Sequence, residues 1–310
     1  MSAPDRRETF RNAYYVKLGT RGRWAEDSIR RGILRFGWSA VPLAEIKAGD
    51  WDRIRERIAA EHTNKSTVST DTARLRDIVS SGPADVWITF HDSRLWWGRV
   101  GNGAVREDRI SKYRKMPAGW HDADTRGMPL LLHEIPGEIS KTQGFRGTVC
   151  SVKERATLER LLNGETSPAY DAVDRARNAL VVEVASAIRM LHWKDFETLV
   201  DLIFRHAGWR RRSVLGQTMK FADLELEEPI TGDLYQVQVK SRASERDFRE
   251  YADAFSGSGY RRLYFIVHTP LSGLARGGDP PDGVELVLPD RLGEWVVDSG
   301  LVAWLLAKIR

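Results

Sequence analysis

Residues Phe221 to Arg242 read FADLELEEPITGDLYQVQVKSR, two alternating runs around a tight turn. The first alternates Asp223, Glu225 and Glu227 with Ala222, Leu224 and Leu226. The second alternates Gln236, Gln238 and Lys240 with Tyr235, Val237 and Val239. Side chains on a strand point to its two faces in turn, so each run has one polar and one apolar side. Closure about Thr231-Gly232 would set Asp223 opposite Lys240 and Glu225 opposite Gln238, with partners roughly 5 Å apart. Carboxylates, an amide and an ammonium would then share one face. Taken alone, such a pattern also describes an ordinary amphipathic hairpin with a solvated charged side.

Those groups are what the cutting of a phosphodiester with Mg²⁺ requires. A hard cation takes oxygen ligands, usually one or two carboxylates with water and phosphate completing the set. A nearby lysine can offset developing charge. The stretch resembles the PD-(D/E)xK nuclease superfamily, specifically its Mrr-like restriction endonuclease branch, where the second half-motif is often QxK, as in Gln238-Val239-Lys240. The resemblance implies that Asp223 binds the metal, Mg²⁺ or Mn²⁺, that Gln238 is the variable position of the motif and that Lys240 is the catalytic lysine. Glu225, on the face of Asp223, is a further candidate metal ligand. An amide at position 238 carries no charge, which leaves one or two metals open.

The flanking residues extend the same pattern. HWKDFETLVDLIFRHAGW precedes the hairpin, with Trp193, Phe196, Val200, Phe204 and Ala207 at helical spacing and Gly208 ending the helix. Glu197 lies at the margin of that stripe. The superfamily often has an acidic residue on this first helix, so Glu197 is a candidate for the site, against the plainer reading of a half-exposed residue or ion-pair partner. GWRRRSVLG reads as the first strand, and Arg210, Arg211 and Arg212 are candidates to hold a DNA backbone. After Lys240, Ser244 and Asp247 are placed for a capping box. Phe248, Tyr251 and Phe255 give the next helix its buried face. LYFIV, GGDPPDG, VELVL and Leu301–Ile309 then read as strand, loop, strand and closing helix. From about Trp193 to Pro270 the order matches the αβββαβ core of restriction-endonuclease-like folds.

Length and composition frame this reading. With 310 residues, 42% hydrophobic and 29% charged, the chain suits two ordinary domains. A formal charge of +5 and a pI near 9.3 favour a polyanionic partner. One cysteine, Cys150, permits no internal disulfide and no cysteine-rich zinc site, and it fits a reducing cytoplasm. MSAPDRRETFR has no apolar core for a signal peptide, and Leu301–Ala307 is too short to span a bilayer. A cytoplasmic protein with no membrane partner is expected. No G-x-x-x-x-G-K-[ST], G-x-S-x-G or H-E-x-x-H motif occurs.

The N-terminal half has a different character. AYYVKL and GILRFGW read as strands, Trp24–Arg30 as a short helix and Trp51–Glu61 as a longer one. The polar TNKSTVST precedes another helix from about Asp71, and Asp85–Val100 reads as a hairpin turning at HDSR. Arg106–Gly127 reads as a mobile loop and Pro129–Val149 as a strand or two. The expectation is a mixed, mostly β domain closing as a small barrel. Seven of the 11 tryptophans lie at or before Trp120. Trp24, Trp38, Trp87, Trp96 and Trp97 are candidates to stack a base, because an indole offers a flat π-surface. Core packing is the plainer role for any one of them. The layout is similar to PUA-like domains, including EVE-type modules, which hold a modified base in an aromatic pocket.

Three segments follow: residues 1–150 for nucleic-acid or modified-base sensing, 151–167 as a helical linker with its flexible point at Asn163–Pro168, and 168–310 as the nuclease domain. The function expected is a modification-dependent (type IV) Mrr-like endonuclease acting on double-stranded DNA in phage defence. A homodimer is expected because cutting both strands needs two active sites. Two alternatives remain: a DNA-binding sensor with an inactive nuclease-like domain, and a repair or RNA-directed nuclease.

Overall fold

The apolar side chains condense into separate cores in two units, and the chain divides between Ser167 and Pro168. The computed structural model describes residues 7–62, 64–212, 223–271, 273–274 and 280–310. Phe221, Ala222, Ser213–Gly216, Gly277–Asp279, Thr63 and the first six residues, all read in the sequence above, lie outside the described residues.

The first unit begins with β1 (Asn12–Val16), α1 (Ala25–Arg31), β2 (Ile33–Phe36), α2 (Leu43–Ala48), α3 (Trp51–Glu61) and α4 (Lys65–Ser80). It continues with β3 (Asp85–His91), β4 (Arg94–Gly98), β5 (Arg106–Glu107), β6 (Lys112–Lys115) and β7 (Trp120–His121). It ends with α5 (Gly137–Ser140), β8 (Val149–Ser151) and α6 (Arg155–Leu162). Strands β7-β4-β3-β1-β8 form one sheet, with β1 parallel to β3, and β2-β6-β5 form another. The described strands thus lie in two sheets instead of one small barrel, and the unit is mixed α/β instead of mostly β.

Several local differences have identifiable causes. The polar stretch before Asp71 is already helix, because the Asn64 side chain accepts from Ser66 N at 2.8 Å and starts α4 six residues early. The β3–β4 turn places both Asp92 and Ser93 at positive φ, 51° and 57°, the geometry that matches the twist of the flanking strands. Arg106–Gly127, read as a mobile loop, carries β5, β6 and β7, and two of its basic residues turn inward. Buried Arg114 donates to the carbonyls of Ile78, Val79 and Ser81 at the end of α4, and to those of Gly101 and Gly103. Buried Lys112 donates to Trp38 O at 3.1 Å. Pro129–Val149 holds α5 and short turns, and the strand expected there begins only at its last residue, with β8.

α6 is no linker: Leu158 and Leu162 are fully buried in the first unit. Nor is Asn163 a flexible point. Its side chain bonds Glu8 N at 2.7 Å and Glu8 O at 2.9 Å, pinning the start of the described chain to the end of α6.

The second unit runs α7 (Pro168–Ile188), α8 (Trp193–His206), β9 (Arg210–Arg211), β10 (Leu224–Glu227), β11 (Leu234–Ala243), α9 (Glu245–Phe255), β12 (Arg262–Pro270), β13 (Val284–Val287), α10 (Pro289–Asp298) and α11 (Val302–Lys308). Its sheet has the order β13-β12-β11-β10-β9. β9, β10 and β11 are antiparallel, whereas β11, β12 and β13 are parallel. A parallel step needs a crossover, and α9 supplies it between β11 and β12.

One sheet face packs on α8 and α10 through Val237, Val239, Ile266, Phe196 and Leu292. The other packs on α9 through Phe248, Phe265 and Val267. α10 was not anticipated from the sequence. Gly293 lets it approach α7, since a Cβ there would lie 2.9 Å from Val181 O. The stripe on α8 is Phe196, Leu199, Val200, Ile203 and Phe204, while Trp193 and Ala207 are exposed. No described helix is long and apolar enough to cross a membrane.

Candidate functional site

The hairpin register is set at the turn. Gly232 adopts φ 74° and donates to Glu228 O at 2.9 Å, and Glu228 N donates to Asp233 O at 3.0 Å. The Glu228 carboxylate accepts from Ile230 N at 3.0 Å, Thr231 N at 2.6 Å and Thr231 Oγ1 at 2.9 Å. Four residues, 229–232, therefore form the loop, and glycine takes its last position because that position needs a left-handed backbone. Leu224 pairs with Val237 and Glu225 with Gln236. The pairing expected from the sequence, Asp223 with Lys240 and Glu225 with Gln238, is two residues out of register.

A slip of two keeps every side chain on its own face. Leu224 and Leu226 point into the core shared with Val237 and Val239. By the same alternation Asp223, Glu225, Gln236, Gln238 and Lys240 belong to the opposite side, where Lys240 meets α9. There Val239 N donates to Asp223 Oδ2 at 2.7 Å, and the Gln238 amide nitrogen donates to the same oxygen. Asp223 N donates to Val237 O at 3.0 Å. The aspartate thus takes over from the backbone ladder at the start of β10, satisfying an inner-strand N–H with its side chain. Gln238 is 4% exposed.

Lys240 lies two residues further along the same face. Its Nζ donates to Tyr251 OH at 2.8 Å and stands 4.6 Å from the centroid of that ring. Tyr251 belongs to the α9 stripe, and its ring meets Phe265 at 5.4 Å. The sequence assigned Tyr251 to the core alone. A hydroxyl on an otherwise apolar stripe was the signal of a second role.

The electrostatics tie Glu197 to this group. Burial raises the Asp223 carboxyl above the ordinary aspartate range, and Val239 N–H, the Lys240 charge and Gln238 offset part of that rise. Glu197 is also raised, first by burial and then by the negative charge of Asp223, with Lys194 acting the other way. Two carboxyls within electrostatic reach resist ionising together. Asp223, Gln238 and Lys240 therefore form one neighbourhood, and the charge of Asp223 is felt at Glu197.

The other candidates fall elsewhere. Glu225 accepts from Tyr260 OH at 2.7 Å, one pair nearer the turn than Asp223. Among the three arginines, Arg211 Nη1 lies 3.6 Å from Asp201 and Arg212 Nε lies 3.5 Å from Glu227. Arg210 is exposed, opposite Glu227 in the sheet.

Trp87 and Trp97 are buried, with Trp97 Nε1 donating to Ala123 O at 2.8 Å, so neither presents a free face to a base. Trp96 and Trp97 point to opposite sheet faces as strand geometry requires, but both sides are covered and the two rings join different cores. Trp24, Trp38 and Trp96 are half-buried. Trp38 also has φ 61°, an unusual backbone state for a bulky residue.

Among the described residues no group of three His, Cys, Asp or Glu side chains is placed to hold a metal. No family model matches the chain, and no curated protein matches it. A solved structure, the DNA modification-dependent restriction endonuclease AspBHI, is similar over 83% of this chain and 73% of its own, at 11% identity and a TM-score of 0.30.

Proposed function

We propose that the chain is a metal-dependent DNA endonuclease of Mrr-like, modification-dependent restriction type, whose second unit cleaves and whose first unit selects the DNA. The observation carrying this reading is the grouping of Asp223, Gln238 and Lys240 on one sheet face, with the Glu197 carboxyl in electrostatic reach of Asp223. The element order α8-β9-β10-β11-α9-β12, with β12 parallel to β11, is the αβββαβ order of restriction-endonuclease-like folds.

The donor set suits a hard cation. Asp223 and Glu197 supply carboxylate oxygens whose mutual repulsion a cation would relieve, and the amide nitrogen of Gln238 is committed to Asp223, leaving its oxygen to offer. Asp223, with Gln238 and Glu197, would hold Mg²⁺ or Mn²⁺. The ion when bound would polarise the phosphate and lower the pKa of water. An ammonium has three N–H donors, and Tyr251 takes one of Lys240's. The others can meet phosphoryl oxygens as their charge grows. Glu225, held by Tyr260, is assigned a supporting role on the strand.

The test is cleavage of matched unmodified, methylated and hydroxymethylated duplexes with Mg²⁺ and with chelator. Asp223→Ala and Lys240→Ala should each lower the rate by roughly 100- to 1000-fold while DNA binding persists. Near-normal cutting by either folded variant rejects the assignment. A second reading is a DNA-binding sensor with an inactive nuclease-like unit, favoured by the Gln238 amide occupying Asp223. Metal-independent binding of modified DNA without any cleavage would select it.

A further inference from the structure

We propose that Tyr251 is a positioning residue: its hydroxyl holds the Lys240 ammonium in place for the phosphoryl group, and it acts on cleavage through that lysine. This rests on the nuclease reading above. The contact is direct. Lys240 Nζ donates to Tyr251 OH at 2.8 Å and lies 4.6 Å from the ring centroid, so the hydroxyl is the nearer partner. A lysine ammonium rides on a flexible four-carbon stem, and ordering it at the moment of reaction costs rotamer entropy. A partner already in place in the free protein removes that cost from the reaction. The chemistry of the partner matters as well. A carboxylate would hold the ammonium and cancel its charge, whereas a neutral hydroxyl fixes one N–H and leaves the positive charge for phosphoryl oxygens.

The tyrosine is itself held by the strands it serves. β11 ends at Ala243 and α9 begins at Glu245, so Ser244 alone joins strand to helix. Ser244 N donates to Asp247 Oδ2 at 2.8 Å and Asp247 N to Ser244 Oγ at 3.3 Å, a capping box that fixes how the helix leaves the strand. Phe248 then meets Phe265 of β12 at 5.5 Å, and Tyr251 meets the same ring at 5.4 Å. Phe265 stands beside Gln238 in the parallel register of β11 and β12. The strand carrying Lys240 and the neighbouring strand that anchors Tyr251 thus set the distance between the two side chains. Packing alone would be served by phenylalanine, as it is at Phe248 and Phe255 on the same helix. The hydroxyl is what position 251 adds.

The experiment uses the full chain with Tyr251→Phe, Lys240→Ala and the double variant. kcat and KM are measured in Mg²⁺ on the duplex that the wild type cuts fastest, with affinity by anisotropy in Ca²⁺ and the melting temperature alongside. Tyr251→Phe keeps the ring that packs on Phe265. It should lower kcat about tenfold, the scale of one ordinary hydrogen bond, with KM, affinity and melting temperature unchanged. In the Lys240→Ala background the same change should have no further effect on the residual rate, because a residue acting through the lysine has nothing left to position. Wild-type kcat in Tyr251→Phe, a lowered melting temperature with kcat intact, or a further loss in the double variant overturns the proposal. If Tyr251→Phe cuts normally while Lys240→Ala does not, only this inference falls. If Lys240→Ala also cuts normally, or the wild type does not cut DNA at all, the nuclease reading falls with it.

Discussion

At the scale of single residues, the site is a contest between burial and charge. Asp223 is held above the ordinary aspartate value of 3.8 mainly by desolvation. A raised carboxyl stabilises the fold in its protonated form. That contribution is fully present below 3.8 and is lost as pH rises through the higher folded value. Asp223→Asn keeps an oxygen for Val239 N–H and removes the charge. It should raise the melting temperature near neutral pH without metal, and the gap over wild type should close in acid. Calorimetry across pH reads this directly, and a lower melting temperature at pH 7 would contradict it. Gln238→Glu sets a second carboxylate against Asp223. We expect lower stability in chelator, a larger gain on adding Mg²⁺, and retained though altered cutting. A folded variant that is dead at every Mg²⁺ concentration would show that the amide N–H on Asp223 is required.

At the scale of elements, the hairpin turn decides which residues meet. Gly232 has φ 74° with open space where a Cβ would sit, so Gly232→Ala meets backbone strain and no clash. The cost should be roughly 1–2 kcal/mol, and Gly232→Asn should cost less. Urea unfolding followed at the second unit measures it. A neutral Ala variant would mean the turn does not hold the register. The loop was legible as a turn from Thr231-Gly232 but not its centre, because the Glu228 carboxylate that organises it bonds backbone groups two and three residues ahead. The Arg106–Gly127 segment failed for a similar reason. It reads as a mobile loop, yet Arg114 finds its acceptors at the end of α4, 33 to 36 residues away in sequence.

At the scale of the whole molecule, the division at Ser167 moves the boundary past α6. A fragment ending at Cys150 would cut Ser151 from β8 and discard Leu158 and Leu162 from the core of the first unit. Residues 1–167 and 168–310 should each express as folded proteins with cooperative unfolding, while 1–150 should be insoluble or molten. Under the proposed function, 1–167 binds the preferred DNA alone, and Trp24→Ala, Trp38→Ala or Trp96→Ala weakens that binding about tenfold. Gel shift with the fragment measures it. A folded 1–167 with no affinity at low salt would remove DNA selection from this unit.

What the sequence determined by itself is which side chains share the polar face of the hairpin. Alternation has a period of two, so Asp223, Gln238 and Lys240 share a side whether the hairpin closes at one register or slips by two, and the core face follows from Leu224, Leu226, Val237 and Val239. The buried faces of α8 and α9 follow largely from periodicity in the same way. Tertiary structure decided which groups touch. Tyr251 on Lys240, Glu197 near Asp223, Trp97 buried and Trp193 exposed all depend on segments brought together from far along the chain. Local pattern fixes the direction of a side chain relative to its own backbone, and only packing fixes what stands opposite it.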